Sequence, residues 1–444
     1  MFQTLINAFK NKEVRSKILL TLLILFIYRV GCWIPTPGLN TDALAGAFTG
    51  TENTFLTLLN GITGDALQNG ALLALGISPY INASIISQLL TIAIPALERW
   101  SKQGDEGKRK MAMFTRVLTV ILAVVQAVGI VYSFGMAGYL SAGEFNNESL
   151  NIFAFDMSPV LLGFIIGVIL VCGAVFTMWL GEKLTDLGIG NGISLLIFIG
   201  ILSTAGIAIV ENITSWTNNE NAPWYLLIFL ALVISIFFLI TFIDGAERKI
   251  PVQYAKQVKG RKMYGGQSTH IPIKVNASGV LPIIFATAII TFPQLIMQMF
   301  NATDNWWIML FGTGQPLYFV LSGLLILFFS YFYAMIQFQP DEVARNLQQY
   351  GGFIPGIRPG KATAEYLKRV SRRLTLFGAI YLAFVFIVPS VLFSILQTTL
   401  GFASSLTNAF SSTGMLIVVS VALEFQKQLE SQLMMRQYKG FLKN

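Results

Sequence analysis

Long apolar runs separated by short polar segments dominate the chain. A helix needs about 20 apolar residues to cross the hydrocarbon core of a bilayer. We predict a membrane-spanning helix in each of ten such runs: 18–35, 74–96, 115–135, 158–180, 189–210, 224–243, 279–300, 316–336, 374–396 and 409–425. Pro35-Thr36-Pro37-Gly38 follows the first run in place of a small-residue cleavage site, so we interpret that run as a retained span.

The overall composition is that of a protein embedded in lipid. Of the 444 residues, 54% are hydrophobic and 12% are charged, whereas soluble proteins carry about 25% charged residues. This excludes an ordinary soluble protein and a disordered chain. Cys32 and Cys172 lie in apolar runs and His270 is the only histidine, so we expect no disulfide framework, metal site, catalytic residue or cofactor.

Basic residues mark one side of the membrane. If the N-terminus is cytoplasmic, 29 of the 30 Lys and Arg residues lie in cytoplasmic segments or at their edges. These segments are 1–17, 97–114, 181–188, 244–278, 337–373 and 426–444. The exception is Arg29, inside the first span. The external segments contain no Lys or Arg, so all of their charged residues are acidic. Because Lys- and Arg-rich loops stay in the cytoplasm, the pattern predicts that both termini are cytoplasmic.

The ten spans divide into two groups of five, and because five is odd, the second group starts from the opposite side. This arrangement is typical of inverted repeats, which place a functional path near the membrane midplane. We predict an N-terminal half at 1–210, an external hinge loop at 211–223, a C-terminal half at 224–425 and a cytoplasmic tail at 426–444. The expected fold is an all-α integral membrane protein with two pseudo-symmetric inverted halves.

Two long cytoplasmic loops, 244–278 and 337–373, are rich in basic residues. Loops of this length are uncommon unless they have a function. One interpretation is topology signalling together with attraction to anionic lipids. The other is a docking platform for a large cytoplasmic partner, in which exposed Tyr254 and Tyr264 and the basic residues meet RNA phosphates or an acidic protein face.

Within the segment 50–73, the apolar run 55–59 is far too short to span a membrane, and the glycine-containing stretch 60–65 then breaks it. Non-helical backbone at membrane depth is tolerated only inside protein or beside water. The segment is therefore either an external surface loop or a re-entrant segment that enters a water-filled funnel.

The spans lack the chemistry of a pump or an enzyme. A proton- or ion-coupled transporter, our alternative function, normally keeps Asp, Glu or His on its path, and Arg29 is better explained by a structural pairing. A membrane-embedded enzyme ranks third. The glycines of 188–192 follow no predicted strand, so a tight turn before the fifth span is a better interpretation than a dinucleotide site.

Five stretches together resemble the SecY family of protein-translocation channels, with the spacing typical of its bacterial members. They are 76–86 (GISPYINASII), 181–194 with its GIGNGIS end, 264–276 (YGGQSTHIPIKVN), 352–360 (GFIPGIRPG) and 429–433 (LESQL). The resemblance extends over essentially the whole chain. It implies a clamshell of two halves around a central hourglass pore, through which unfolded polypeptides cross the membrane or leave sideways into lipid.

The resemblance implies that a ring of aliphatic side chains seals the pore. The matching positions are Ile77, Ile81, Ile193, Ile197, Ile284 and Ile417. Two pairs among them are spaced i,i+4, so each pair shares one helix face. Branched apolar side chains at a narrow waist exclude water and ions, and they can part around a chain because they form no directional bonds with it.

The resemblance also assigns 57–69 as a re-entrant plug of the outer funnel, although Asp65 departs from the glycine run common in the family. The plug candidates are Leu58, Leu59, Asn60, Gly61, Ile62, Thr63, Gly64, Asp65, Ala66 and Leu67. A lateral gate between spans 2–3 and 7–8 is implied, with candidates Asn82, Gln88, Gln126 and Phe292. Gln88 and Gln126 fit simple helix–helix contacts equally well.

Docking on the cytoplasmic side is implied as well. The motor or ribosome docking candidates are Arg248, Lys249, Tyr254, Lys256, Arg261, Lys262 and Arg358. The implied partners are membrane subunits resembling SecE and SecG, the motor ATPase SecA, the ribosome through its RNA, signal peptides with unfolded secretory or membrane polypeptides, and anionic lipids. The implied location is the bacterial plasma membrane.

Overall fold

Helices make up most of the protein in the computed structural model. The structure describes residues 8–41, 60–61, 63–101, 103–136, 159–214, 222–254, 257–259, 262–264, 268–299, 315–400 and 404–441, with residues 6, 44 and 310. Two compact units divide the chain: residues 1–226, 290–313 and 397–444 form the first, and residues 227–289 and 314–396 form the second. The first change of unit lies beside the predicted hinge at 211–223, whereas the C-terminal residues group with the first unit.

The elements follow one another in a simple order. The helices are α1 (Lys12–Gly31), α2 (Ser78–Ala93), α3 (Pro95–Ser101), α4 (Gly104–Met136), α5 (Pro159–Leu187), α6 (Gly192–Thr214), α7 (Ala222–Asp244), α8 (Leu281–Met299), α9 (Pro316–Gln337), α10 (Pro340–Gln349), α11 (Lys361–Leu400), α12 (Ser404–Ala409) and α13 (Ser412–Phe441). The strands are β1 (Glu247–Tyr254), β2 (Gln257–Lys259), β3 (Lys262–Tyr264), β4 (Ser268–Lys274) and β5 (Gly352–Phe353).

Each of the ten predicted spans overlaps one of these helices. Among the described residues, six helices are long and apolar enough to cross a membrane: α4, α5, α6, α7, α9 and α11. The bent pair α2 and α3 makes a seventh if it is counted as one span. The protein is therefore a multi-pass membrane protein, and the count of ten spans stays a prediction.

Close packing in the first unit joins α4 and α5 to the segment before α2. Ala123, Ala127 and Ala174 are buried in one cluster with Leu67 and Leu75. Small residues let helix backbones approach closely, which is a principal source of helix association in lipid. Gly173 is an extreme case, because a Cβ at this position would overlap the carbonyl oxygen of Leu72.

The glycine-rich stretch 188–192 forms the predicted tight turn before the fifth span. Gly190 has a φ of 98°, and α6 begins at Gly192. The hydroxyl of Thr185 accepts a hydrogen bond from the Gly192 amide at 2.9 Å, and the Asn191 side chain accepts one from the Ile193 amide at 3.1 Å. These side-chain acceptors satisfy amide donors at the start of the helix.

In the second unit, three strands form an antiparallel sheet in the order β4–β1–β5. Residues of β1 pair with β4 from Glu247 opposite Lys274 to Gln253 opposite Ser268. Alternation along β1 buries Ile250 and Val252 in a small core, as expected for a sheet with one covered face. The described residues of the basic loop 244–278 thus include paired strands, which the sequence pattern did not indicate.

Candidate functional site

Five of the six predicted ring isoleucines lie in the first unit. Ile77 is 2% exposed at the start of α2, Ile197 and Ile417 are 7% and 6% exposed, and Ile81 and Ile193 are half-buried. The structure brings Ile77 and Ile193 to the same point beside Gly181, because a Cβ on that glycine would lie 3.4 Å and 3.1 Å from their side-chain atoms. Ile284 is half-buried on α8 in the second unit.

The packing of α13 on α6 places two further ring residues, Ile197 and Ile417, at a similar depth along the helices. A Cβ on Gly190 would lie 3.6 Å from Phe425, and one on Gly414 would lie 3.2 Å from Ile201. The two helices therefore run antiparallel, because the contact that is later in α6 is the earlier one in α13. The number of residues between the two contacts is the same in both segments. Ile197 lies one turn before Ile201, and Ile417 lies one turn after Gly414, so the two isoleucines occupy similar depth.

Three of the predicted gate residues lie on α2 and α4 of the first unit. Asn82 is half-buried, and Gln88 is exposed with its amide donating to Ser84 of the same helix at 3.4 Å. Gln126 is buried on α4, and its Oε1 has no hydrogen-bond partner among the described residues. The side chain of Phe292 lies outside the described residues.

A different polar pair links the two helices of the predicted gate in the first unit. The hydroxyls of Thr115 and Ser87 form a hydrogen bond at 3.2 Å, which joins α4 to α2. Sequence reasoning missed this pair because Ser and Thr at helical spacing usually bond to their own backbone carbonyls. Thr115 does so as well, since it also lies 3.0 Å from the Met111 carbonyl oxygen.

The Gly181-Glu182 motif has a separate role for each residue. Gly181 leaves room for the two isoleucines described above. Glu182 pairs with Arg116 across 2.8 Å, which joins the C-terminal part of α5 to α4. This ion pair is partly exposed, so it defines the helix arrangement more than it adds stability.

The described part of the predicted plug is a compact turn. The amides of Asp65 and Ala71 donate to the carbonyls of Asn60 and Ala66 at 3.0 Å and 2.9 Å. Leu67 is fully buried beside Leu75. Leu58, Leu59 and Ile62 lie outside the described residues. The segment is therefore held at its C-terminal end by backbone bonds and by an apolar anchor.

Arg29 holds the tip of this turn. Its Nη1 donates to the Gly64 carbonyl oxygen at 2.6 Å, and its guanidinium lies 5.8 Å from the Trp33 ring centroid. Gly64 has a φ of 72°, and a Cβ there would collide with Arg29 and lie 3.0 Å from the backbone of Gly200. The prediction of a structural pairing for Arg29 is confirmed, although its partner in the predicted plug segment was not foreseen.

The two predicted docking loops meet in the sheet of the second unit. Gln253 and Tyr254 of β1 pair with Phe353 and Gly352 of β5, which belongs to the other loop. Arg248 is exposed, and Lys249 is exposed beside Glu247 at 3.4 Å. Tyr254 is half-buried against Gly352 and is not the exposed side chain we expected. Lys256 and Arg261 are outside the described residues, as is the side chain of Lys262.

Arg358 is exposed on a loop with a well-defined backbone. The loop begins at β5, and the buried Ile354 inserts into the core below the sheet. The Ile357 amide donates to the Ile354 carbonyl at 3.0 Å, and the Thr363 hydroxyl donates to the Arg358 carbonyl at 2.9 Å. The loop thus presents a charged side chain from a fixed position. These features describe a surface that suits a partner with acidic groups.

Solved structures with a similar fold indicate the class of protein. One, described as the translocation channel whose SecY plug domain stabilises the closed state and maintains a membrane seal, has a TM-score of 0.62 at 20% identity and covers 94% of this chain and 91% of that chain. Another, Sec61 in the canine ribosome-channel complex, has a TM-score of 0.58 at 19% identity with the same coverage. The fold is that of protein-conducting membrane channels.

Sequence relatives define the family. The family model described as SecY matches residues 71–426. The protein translocase subunit SecY of Halalkalibacterium halodurans is 42% identical over 100% of both chains, and that of Haemophilus influenzae is 41% identical over 97% of this chain and 94% of its own. The chain belongs to the SecY family of protein-translocation channels.

Proposed function

We propose that the chain is the central channel subunit of a bacterial Sec translocon, which conducts unfolded secretory polypeptides across the plasma membrane and releases membrane segments sideways into lipid. Full-length similarity to translocase subunits supports this function, and the alternative of an ion-coupled transporter has no support among them. The observation that carries the proposal is the convergence of Ile77 and Ile193 beside Gly181. An apolar constriction suits a channel that must exclude ions when idle.

The isoleucine ring is proposed to act without chemistry of its own. Its side chains exclude water from the closed waist and separate when a polypeptide enters, because dispersion contacts are weak individually and have no required direction. Residues 57–69 would close the outer funnel, and Asn82, Gln88, Gln126 and Phe292 would line the lateral gate. We assign no catalytic residue, and we propose that the energy for transport comes from a partner or a gradient.

Cytoplasmic partners would dock on the sheet and on the Arg358 loop. Pairing of β1 with β5 supports a single platform, because it joins the strand that carries Arg248 and Lys249 to the loop that carries Arg358. A motor ATPase such as SecA, or the ribosome through its RNA, would present the acidic groups or phosphates that these cations attract. Some solved channels of this fold are ribosome complexes, which supports the ribosome as a partner.

Other partners lie in or on the membrane. Exposed apolar side chains on the helices, such as Phe26 at 66% and Phe238 at 73% exposure, suit lipid tails or the helices of SecE-like and SecG-like subunits. Anionic lipids would contact the basic cytoplasmic segments. The charge pattern supports cytoplasmic N- and C-termini.

Reconstitution tests the proposed function. Liposomes containing the channel with its membrane subunits should take up a secretory precursor when the motor ATPase and ATP are added, and the precursor should become resistant to external protease. A precursor without its signal peptide should stay sensitive. Equal protection in liposomes that lack the channel would refute the proposal.

A further inference from the structure

A short linker, residues 275–280, joins strand β4 to helix α8 and is bonded to the end of helix α7. The Val275 amide donates to the Ala246 carbonyl oxygen at 3.1 Å. The side-chain amide of Asn276 donates to the Asp244 carboxylate at 2.8 Å. Asn276 is only 6% exposed, and a buried hydrogen bond to a carboxylate is among the stronger polar contacts in a protein. The linker is therefore held against the end of α7.

Helix α11 also packs against this linker. A Cβ on Gly378 would lie 2.6 Å from the Val275 carbonyl oxygen, so the two backbones are in direct contact. One turn later on α11, the hydroxyl of the buried Tyr381 lies 3.5 Å from the Ile240 carbonyl oxygen of α7. Packed protein interiors have low compressibility and transmit strain. A displacement at one end of the linker is therefore passed on and not absorbed.

The linker leads directly into the first turns of α8, which carry the predicted ring residue Ile284. The neighbouring side chains of Ile283 and Phe285 are fully buried. The Phe285 ring stacks on Phe329 of α9 with centroids 5.2 Å apart, and it lies 5.3 Å from the Tyr333 ring. The start of α8 is therefore anchored to α9, and the position of Ile284 depends on the linker and on this aromatic contact.

The other end of the linker belongs to the proposed docking surface. Lys274, the last residue of β4, pairs with Glu247 of β1, and β1 carries the exposed Arg248 and Lys249. The same sheet includes β5, where the Arg358 loop begins. A continuous series of contacts within the second unit thus connects the docking surface to the start of α8.

We propose that Asn276 is a positioning residue that couples the docking sheet to the pore ring. This inference rests on the proposed function and deepens it. With the bond between Asn276 and Asp244 intact, a partner that displaces the sheet also displaces the start of α8, and Ile284 with it. Without the bond, the linker yields and the displacement is lost before it reaches α8. Docking does not need the bond, because the bond involves no residue proposed for docking.

An exchange of the two side chains tests the contact. Asn276→Asp places two carboxylates at hydrogen-bonding distance, where like charges repel, so the maximal rate of motor-driven export should fall about tenfold. Asp244→Asn alone should stay within about twofold of the wild-type rate, since its amide oxygen still accepts from Asn276. The double variant exchanges donor and acceptor, so the bond forms again and at least about half of the wild-type rate should return.

Titration with the motor ATPase separates coupling from docking. Proteoliposomes containing each variant and its membrane subunits receive increasing concentrations of the motor with ATP, and the precursor protected from protease is measured. Asn276→Asp should lower the maximal rate, while the motor concentration that gives half of this rate changes by less than about twofold. Asn276→Ala removes the donor without adding a charge, and it should show the same pattern with a loss of about fivefold.

The proposal is wrong if both Asn276 variants export at the wild-type rate. It is also wrong if they need more motor but reach the wild-type maximal rate, because Asn276 would then belong to docking. A loss of export by Asn276→Asp that the double variant does not restore would likewise overturn it, because the residue would then have a merely structural role. Membrane content and thermal unfolding of each variant confirm that folded channels are compared.

The same vesicles distinguish this inference from the proposed function. If the wild-type channel transports the precursor but the variants give any of the contrary results, the coupling is wrong and the channel function stands. If no preparation of folded channel transports the precursor, the proposed function fails and the coupling with it.

Discussion

Replacing Arg358 with Glu should reduce motor-driven export by at least tenfold while the channel still assembles with its membrane subunits. Arg358 is exposed on a loop fixed by Ile354 and Thr363, so a change of charge there leaves the fold intact. It reverses the attraction for an acidic partner, and a tenfold loss corresponds to only about 1.4 kcal/mol of binding free energy. Export of a secretory precursor driven by the motor ATPase measures the effect.

Arg345→Glu is the matched control. Arg345 is also exposed in the second unit, and its Nε donates to the Asp341 carbonyl within α10 at 3.3 Å. We expect near-normal export from this variant. Equal losses for both variants would mean that net charge, and not the position of Arg358, determines export.

Replacing Gly173 with Val should prevent accumulation of folded protein. A Cβ at this position would overlap the Leu72 carbonyl oxygen, and the backbone on either side of this contact belongs to a well-packed cluster that cannot yield easily. Overpacking of a core typically costs about 1–3 kcal/mol or more. Membrane content of the protein and its thermal unfolding in detergent measure the loss.

Gly206→Val provides the comparison for this variant. Gly206 lies on α6, and an added Cβ would meet nothing within 4 Å. This variant should accumulate at close to the wild-type level. If Gly173→Val unfolds at the wild-type temperature, α5 and the segment before α2 are not packed as described.

The helices were largely predictable from sequence, because each depends on a local run of apolar residues. Every predicted span overlaps a helix. The strands were not predictable in the same way. The pairing of Tyr254 with Gly352 joins residues almost a hundred positions apart, and no local pattern reports such a contact.

In the candidate site, too, local features were predictable from sequence and long-range contacts were not. The position of Arg29 inside an apolar span indicated that it needed a partner. Every residue has a backbone carbonyl, so the sequence could not identify the carbonyl of Gly64 as that partner. The ring isoleucines look like any other apolar helix residues, so only the family resemblance identified them. Tyr254 was expected to be exposed because aromatic residues in a basic loop suit RNA, whereas packing on Gly352 half-buries it.

A crosslinking measurement tests the central claim, that a polypeptide passes through the isoleucine ring. A photo-reactive amino acid at Ile81, which is half-buried on α2, should crosslink to a secretory chain stalled during export. The same amino acid at Phe26, which is 66% exposed on α1, should not react with the stalled chain. A stalled chain that crosslinks at Phe26 but never at Ile81 would contradict the account.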